Sequence, residues 1–200
     1  MEYRVAISTA TKGSIEAVTA AWREQAMVRL APNVELHWEV SGVTLEAARC
    51  RQVDAFLASK CTHLFLLDSD TIPPPNAIEK LLAFDFPFIA APHTSAIGRE
   101  TGIMVLDRNP KGKDYIQHHP WREGSGLQGP NVVVGCAGML IRRDVFEKVG
   151  RPWFRCIHHP ITGQLVKTED FDFCDRMHAC GMEVWADCNT IVHHKLGLVV

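Results

Sequence analysis

One apolar run that ends in two acidic residues decides the fold class: His63-Leu64-Phe65-Leu66-Leu67-Asp68-Ser69-Asp70. A run this short and this apolar is typical of a central parallel strand that is covered on both faces. Upstream of it lie two strand-like runs, Val5-Ala6-Ile7 and Val34 to Val40. Each is followed by a stretch of helical spacing, residues 15 to 30 and residues 45 to 57. We therefore predict an α/β fold with a mostly parallel central sheet and helices on both faces.

The second half of the chain is predicted to continue this pattern, with irregular stretches in between. Phe88-Ile89-Ala90-Ala91-Pro92 has the composition of a fourth short strand, and residues 132 to 141 predict one strand with a small-residue interruption. Arg108 to Pro130 has no sustained period, which predicts a long loop. Glu169 to Cys180 has helical spacing, and Thr168 is a candidate N-cap for that helix.

Composition limits the classes of function. The chain has 200 residues, of which 46% are hydrophobic and 22% charged, as in an ordinary globular protein. The formal net charge is -2 and Lys and Arg are scattered, so we expect no nucleic-acid partner. The seven cysteines form no Cys-x-x-Cys pair, which favours reduced thiols in a cytoplasmic protein. No apolar run approaches the roughly 20 residues of a membrane span, so we expect no transmembrane segment.

Asp68 and Asp70 are the strongest candidates for chemistry. They follow a buried strand, at the edge where open α/β sheets bind ligands. Their hard oxygens suit Mg²⁺ or Mn²⁺, which prefer carboxylates together with phosphate oxygens. Taken alone, the two residues also fit an Asx-type turn before a helix that Pro73-Pro74-Pro75 starts. Further motifs are needed to favour the functional interpretation.

Four blocks, in this order along the chain, resemble those of GT-A glycosyltransferases, particularly family 2-like enzymes of the small bacterial or phage type. The blocks are His63 to Asp70 with its Asp-x-Asp motif, Gly135 to Arg143, Thr168-Glu169-Asp170, and Val192-His193-His194. The resemblance covers nearly the whole chain. It implies a GT-A (Rossmann-like) sandwich in which residues 1–200 form one domain.

The resemblance also implies an activity. Residues 1 to about 92 would bind a nucleotide-sugar donor, UDP- or GDP-linked, and residues from about 93 to 200 would bind the acceptor and carry catalysis. The acceptor would be a glycan, a lipid-linked or a small-molecule hydroxyl, the cofactor would be Mn²⁺ or Mg²⁺, and homo-oligomerisation is left open. One alternative is a non-catalytic nucleotide- or glycan-binding module of the same fold. Another, a sugar-phosphate nucleotidyltransferase, is disfavoured because residues 8 to 13 supply only one glycine and one lysine.

The resemblance assigns the metal side of the site. Asp70 would bind the metal. Asp68 would contact the ribose, or the metal through water, and Ser69 lies between the two carboxylates. His194 would complete the metal site, and the adjacent His193 is the alternative.

On the nucleotide side, Ser8, Thr9 and Ala10 fall where GT-A enzymes contact the nucleoside base. Arg49 resembles the arginine of an arginine-asparagine pair, although Cys50 stands where asparagine is common. Arg49 would then pair with phosphate or with the first aspartate of the Asp-x-Asp motif. A surface charge on a helix is the alternative for this arginine.

Catalysis is assigned by the same resemblance to the start of the last predicted helix. Asp170 would be the general base that deprotonates the acceptor hydroxyl in an inverting displacement, and Glu169 is the alternative. Both carboxylates would also favour the positive end of a helix without any catalytic role. One loop is a candidate to close over the donor or to shape the acceptor pocket, and a solvated loop without such a role is the alternative. Its candidate residues are Lys111, Lys113, His118, His119, Trp121 and Arg122.

Overall fold

The computed structural model describes residues 3–11, 13–40, 43–97, 100–109, 115–116 and 124–194. The α-helices in these ranges are α1 (Ala17–Leu30), α2 (Leu45–Ala58), α3 (Ala77–Leu82), α4 (Arg143–Val149) and α5 (Glu169–Ala179). The strands are β1 (Val5–Thr11), β2 (Val34–Val40), β3 (His63–Asp68), β4 (Thr71–Ile72), β5 (Phe88–Ala90), β6 (Thr94–Ile97), β7 (Glu100–Ile103), β8 (Val105–Arg108), β9 (Tyr115–Ile116), β10 (Leu127–Gln128), β11 (Val132–Val134), β12 (Gly138–Arg142), β13 (Ile157–His158), β14 (Leu165–Lys167), β15 (Trp185–Asp187) and β16 (His193–His194).

A seven-stranded sheet organises the molecule, in the order β10-β15-β5-β12-β3-β1-β2. β1 runs parallel to β2 and to β3, with Val5 opposite both Val34 and His63. β5 has the same direction as β3, because β12 is antiparallel to both, and β15 is parallel to β5. Only β12 and β10 have the opposite direction within this described sheet. The predicted mostly parallel sheet is confirmed.

The central strand β3 shows why the sheet needs a layer on each face. Its side chains alternate, so that Leu64 and Leu66 join one buried cluster and Phe65 and Leu67 join the other. The first cluster includes residues of α2, α4 and α5, and the second includes residues of α1 and α3. All four side chains are fully buried, and burying one side chain of this size contributes roughly 1.5–3 kcal/mol. The predicted helices on both faces are confirmed.

Residues 132 to 141 do not form the single interrupted strand that the sequence predicts. β11 belongs to a three-stranded sheet with β8 and β9, whereas β12 lies in the main sheet. Gly138 starts β12 tight against the neighbouring segment, since a Cβ there would lie 2.5 Å from the carbonyl oxygen of Ala91. The expected interruption is therefore the point where the chain crosses from one sheet to the other.

Two stretches that the sequence marks as irregular contain short strands. β9 and β10 lie between Arg108 and Pro130, and β13 pairs with β14 in a hairpin ahead of α5. Thr168 precedes α5 in an extended conformation, but its hydroxyl makes no cap hydrogen bond. Its carbonyl oxygen accepts the N–H of Asp172 at 3.0 Å instead.

The helices are short relative to a lipid bilayer. α1 and α2 have 14 residues each, whereas a membrane span takes about 20 apolar residues. Within the ranges given above, no helix combines the length and the apolar character needed to cross a membrane.

Candidate active site

The candidate site lies between the neighbouring strands β1 and β3, at their carboxyl ends. From β1 the chain passes through α1 to β2 on one side, and then through α2 to β3 on the other side of β1. β1 leads on to β2 on one side and β3 leads on to β5 on the other, so the strand order reverses between β1 and β3. Open α/β sheets bind ligands at such a switch point. A cleft of about 470 Å³ occupies this place. Among the residues that line it are Ala10, Thr11, Leu45, Asp68, Ser69, Asp70 and His194.

Hydrogen bonds to the start of α1 fix the acidic turn after β3. The Thr71 hydroxyl donates to the carbonyl oxygen of Asp68 at 2.9 Å. The backbone N–H of Glu16 donates to the carbonyl of Ser69 at 2.9 Å. The hydroxyl of Thr19, which is buried, donates to the carbonyl of Thr71 at 2.8 Å. The turn is thus held from both of its ends, and the two carboxylates leave it from a fixed backbone.

A short strand pair brings a histidine to this turn. β16 runs antiparallel to β4, which places His194 opposite Thr71. The His194 Nδ1 lies 3.7 Å from the Asp70 Oδ1, and the exposed fractions of the two side chains are 28% and 53%. His193 is exposed and does not line the cleft. Of the two histidines that the sequence left open, His194 is the one next to the acidic turn.

Arg49 pairs with Asp68, which is one of the two partners that the sequence left open. The Arg49 side chain is 1% exposed and donates through Nη2 to the Asp68 Oδ1. Its Nη1 donates to the Gln52 Oε1 at 3.2 Å. Burial alone would raise the pKa of Asp68, but the charge and hydrogen bond of Arg49 outweigh it, so that this pKa is lowered. Arg49 is a buried counter-ion and not a surface charge.

The first two residues of α5 form the second acidic element. Glu169 is buried, and burial together with the charge of Asp170 raises the pKa of Glu169 to about 7, against the opposing charge of Arg49. Burial likewise raises the pKa of Asp170, whose Oδ1 accepts the N–H of Phe171 at 2.8 Å. The positive charge of Arg49 acts on the pKa of both carboxylates as well as on that of Asp68. The two acidic elements therefore belong to one electrostatic network.

Cys156 and Glu46 also belong to this network, and no sequence motif predicted either of them. The Cys156 thiol lies 3.9 Å from the Glu169 Oε2 and 3.8 Å from the Glu46 Oε2. Burial and the two carboxylates raise the pKa of this thiol to about 11, so it remains protonated and able to donate. Glu46 and Arg49 lie one helical turn apart on α2, which explains why they reach the same place.

His93 is a further residue that sequence reasoning missed. It follows β5, and its ring lies edge to face with that of His194, with 4.9 Å between the centroids. Burial and the neighbouring His194 lower the pKa of His93 to about 4, which keeps the imidazole neutral at physiological pH. The available signal was its position at the carboxyl end of a sheet strand, at the same edge as Asp68.

The predicted nucleoside contacts lie along β1. Ser8 and Thr9 are buried and are not among the residues that line the cleft. Ala10, the third predicted contact, and the next residue, Thr11, line the cleft. The side chains of Ser8 and Thr9 sit deeper in the sheet because β1 continues to Thr11 before it opens. The candidate closing loop, with Lys111, Lys113, His118, His119, Trp121 and Arg122, lies outside the described residues.

The residues around Asp70 fit a hard divalent cation in part. Two ligands at about 2.1 Å from one ion are at most about 4.2 Å apart, and the Asp70 Oδ1 and His194 Nδ1 are within that separation at 3.7 Å. Asp68 adds a third oxygen donor nearby, but one of its oxygens is taken by Arg49. Within the described ranges, no three His, Cys, Asp or Glu side chains already surround a common point as metal ligands do. A complete site therefore needs water or substrate oxygens.

A larger cavity, of about 680 Å³, lies at the opposite edge of the sheet, near the start of β3 and the end of β12. The guanidinium groups of the arginines at this cavity already have hydrogen-bond partners. Arg142 donates two hydrogen bonds to Asp144, at 2.7 and 2.9 Å, and Arg143 donates to backbone carbonyls such as those of Cys61 and Leu57 at 3.0 Å. Since size alone does not indicate chemistry, we assign the candidate site to the smaller cleft.

Comparison with known proteins bears on the fold. No protein family and no curated protein matches this sequence. Among solved structures, the crystal structure of A197 from STIV has a TM-score of 0.63 at 16% identity, covering 96% of this chain and 86% of that chain. GalNAc-T7, solved with UDP, GalNAc and Mn²⁺, has a TM-score of 0.52 at 11% identity, and 96% of this chain spans 44% of that chain. The inositol-1-phosphate CTP transferase from T. maritima has a TM-score of 0.49 at 12% identity, over 96% of this chain and 89% of that chain.

The chain has an α/β fold of the GT-A type. At these levels of identity, the likenesses to A197 and GalNAc-T7 show the fold alone. The fold class predicted from the apolar run of β3 is confirmed. The pairing of β16 with β4, outside the main sheet, brings His194 to the turn that follows Asp68.

Proposed function

We propose that this chain is a metal-dependent glycosyltransferase, which moves a sugar from a nucleoside-diphosphate donor to an acceptor hydroxyl. The observation that carries the proposal is the cleft at the switch point of the sheet, which Asp68, Asp70 and His194 line together. Arg49 links this cleft electrostatically to the two carboxylates at the start of α5. A metal-binding element and a base are the two components that such a transfer requires.

Asp70 and His194 are the proposed direct ligands of Mn²⁺ or Mg²⁺, since they face each other across 3.7 Å. Asp68 would bind the ion through water or contact the ribose, because Arg49 already occupies one of its oxygens. When bound, a divalent cation stabilises the negative charge that develops on a departing diphosphate. Arg49 in turn keeps Asp68 ionised, because its charge lowers the pKa of that carboxyl.

Asp170 is the proposed general base. The acceptor hydroxyl would give its proton to the Asp170 carboxylate while its oxygen bonds to the anomeric carbon of the donor. The bond between that carbon and the diphosphate oxygen breaks in the same step, and its electron pair leaves with the nucleoside diphosphate. Glu169 is the less suitable base, because it is buried and the Cys156 thiol lies against its Oε2. Displacement of this kind would invert the anomeric configuration.

The donor class is proposed from the fold neighbour and from the cleft. GalNAc-T7 was solved with UDP, GalNAc and Mn²⁺, which supports UDP-linked sugars as the first donors to test. At one end of the cleft, β1 contributes the small side chain of Ala10 and the polar side chain of Thr11, and α2 contributes the apolar side chain of Leu45. We propose Thr11 and Leu45 as nucleoside contacts in addition to the predicted Ser8, Thr9 and Ala10.

The decisive experiment is a panel of UDP- and GDP-sugars, scored by release of the nucleoside diphosphate with Mn²⁺ and with a chelator. We expect release by the wild type with Mn²⁺, and loss of release with the chelator. Asp70→Ala should reduce release by a factor on the order of 10². Asp144→Ala is the matched control, because Asp144 lies at the opposite edge of the sheet and lines the larger cavity. It should keep wild-type turnover.

Three results would contradict the proposal in different ways. Turnover that neither the chelator nor Asp70→Ala changes would refute metal dependence. Donor binding without turnover of any donor would indicate a non-catalytic binding module. Formation of a nucleotide sugar and pyrophosphate, from a sugar phosphate and a nucleoside triphosphate, would identify a nucleotidyltransferase instead.

A further inference from the structure

We propose that His93 is a positioning residue, which holds the His194 ring toward Asp70. This inference rests on the proposed function, because it concerns the same metal ligands. The two imidazoles lie edge to face, with 4.9 Å between centroids and 86° between ring planes. On the other side of His194, its Nδ1 lies 3.7 Å from the Asp70 Oδ1. His194 therefore lies between the His93 ring and the Asp70 carboxylate, and the His93 ring limits how far His194 can turn away.

The backbone of His93 is fixed to the segment that carries His194. The two segments form a parallel bridge between His93 and Val192. The N–H of Thr94 donates to the Val192 carbonyl at 3.1 Å, and the N–H of Val192 donates to the Pro92 carbonyl at 3.0 Å. These bonds flank His93 and hold its backbone beside Val192, two residues before His194, so the backbones that carry the two rings stay close together.

Gly135 fixes the other side of the His93 ring. A Cβ at Gly135 would lie 2.1 Å from the His93 Cε1 and 2.8 Å from its Nδ1, closer than real Cβ atoms approach other atoms. The backbone of Gly135 does not itself require glycine, since its φ is not in the positive region. Glycine is therefore needed at this position for space, and the space is filled by the histidine ring.

The contact has a direct consequence for metal binding. His194 belongs to a strand of only two residues, β16, and its side chain is partly exposed. A side chain in such a place populates several rotamers unless a neighbour selects one. Groups that orient a metal ligand typically change metal affinity by about 10-fold to 100-fold. We expect the His93 ring to act at the lower end of that range, because it makes a packing contact and no hydrogen bond to His194 is seen.

The test measures Mn²⁺ affinity of the donor-free protein, from the electron paramagnetic resonance signal of free Mn²⁺ during a titration. His93→Ala, which removes the ring, should weaken binding by about 10-fold. His93→Phe keeps a ring without nitrogens and should stay within about threefold of the wild type. His63→Ala is the matched control at the other edge of the sheet. Thermal unfolding of each variant checks that it is folded.

A double-mutant cycle with Gly135→Ala separates the ring contact from general damage. The added methyl group should weaken Mn²⁺ binding in the wild type, because it displaces the His93 ring. It should have little further effect in His93→Ala, where there is no ring to displace. Equal losses in the two backgrounds would contradict the role of the ring contact.

Two further outcomes would overturn the inference. If His93→Phe loses as much affinity as His93→Ala, a nitrogen of His93 matters and not its ring. If His93→Ala binds Mn²⁺ as tightly as the wild type, His93 has no positioning role. Failure of the proposed function gives a different result: the wild type and Asp70→Ala would then bind Mn²⁺ equally weakly, and the inference about His93 would fail with it.

Discussion

The two edges of the central sheet hold similar side chains, but those side chains have different partners. At the amino end of β3, the cavity of about 680 Å³ contains Arg142 and Asp144, which bind each other in a partly exposed pair. At the carboxyl end, the cleft of about 470 Å³ contains Asp70, whose Oδ1 lies 3.7 Å from the Nδ1 of His194. The side chains of the smaller cavity thus remain available to bind a ligand. The comparison shows that the interaction partners of the side chains, and not the volume of the cavity, distinguish a candidate site.

The comparison can be tested with matched substitutions. Each edge provides an aspartate, an arginine, a glutamate and a histidine. The residues at or beside the carboxyl-end cleft are Asp170, Arg49, Glu169 and His194, and those that line the amino-end cavity are Asp144, Arg142, Glu147 and His63. If matched substitutions at the two edges change activity, metal affinity or stability equally, the distinction between the edges is wrong.

The largest effect is expected for the proposed base. Asp170→Asn should reduce sugar transfer by a factor on the order of 10² or more, because an amide cannot accept the acceptor proton. Donor binding should remain nearly intact, as measured by isothermal titration calorimetry with a UDP-sugar. Asp144→Asn should change neither quantity. A loss of donor affinity with little change in turnover would assign Asp170 to binding.

The arginines should differ in their effect on the free energy of unfolding. Arg49→Met leaves Asp68 and Glu169 without their buried counter-ion, which should lower the free energy of unfolding by about 3 kcal/mol. That figure is at the low end for a broken buried pair, because the Asp68 side chain is 27% exposed and partly hydrated. Arg142→Met breaks an exposed pair and should lower it by less than about 1 kcal/mol. If urea denaturation showed that the two substitutions lower the free energy of unfolding equally, the two edges would not differ in this respect.

Glu169 should make stability depend on pH. Its pKa is about 7 in the folded chain against an ordinary value of 4.5, so the folded state holds the proton more tightly than the unfolded state. Its contribution to stability is therefore present below about pH 4.5 and declines as the pH rises to about 7, by up to about 3 kcal/mol.

The measurement is the free energy of unfolding of the wild type relative to Glu169→Gln, at several pH values between 4.5 and 7. The difference should shift in favour of the variant as the pH rises. Glu147→Gln removes an exposed carboxylate at the other edge and serves as the control. The same pH trend in both variants would show that the burial of Glu169 is not its cause.

The smallest effect is expected for the histidine ligand. His194→Ala should weaken Mn²⁺ affinity by more than the loss of about 10-fold expected for His93→Ala, since it removes a proposed ligand and not a neighbour that orients it, while the carboxylates remain. His193→Ala and His63→Ala should have much weaker effects. If His193→Ala had the larger effect, the metal ligand would move by one residue.

The sequence predicts the elements with sustained patterns and the site residues that belong to a local motif. α2 forms over Leu45–Ala58 against a prediction of 45 to 57, and β2 has its predicted bounds of Val34–Val40. Asp68 and Asp70 could be found because an apolar strand directly precedes them, so that local pattern and position agree. Helix and strand periods are local properties, which a single sequence displays directly.

The sequence does not show contacts that depend on pairing between distant segments. His93 is a lone histidine after Pro92, and its contact with His194 exists because the two backbones bridge near Val192. That Thr11 and Leu45 line the cleft together likewise depends on how β1 and α2 lie beside each other, which no local pattern records.

The pairing of β16 with β4 also has a consequence for the kinetics of folding. It joins His194 to the segment beside Asp70 across more than half of the chain. Closing a loop of this length has an entropic cost that is offset only when the main sheet already holds both segments in place. We therefore expect the candidate metal ligands to meet late, after β1, β2 and β3 have paired. Acquisition of Mn²⁺ affinity during refolding would then lag behind the recovery of secondary structure.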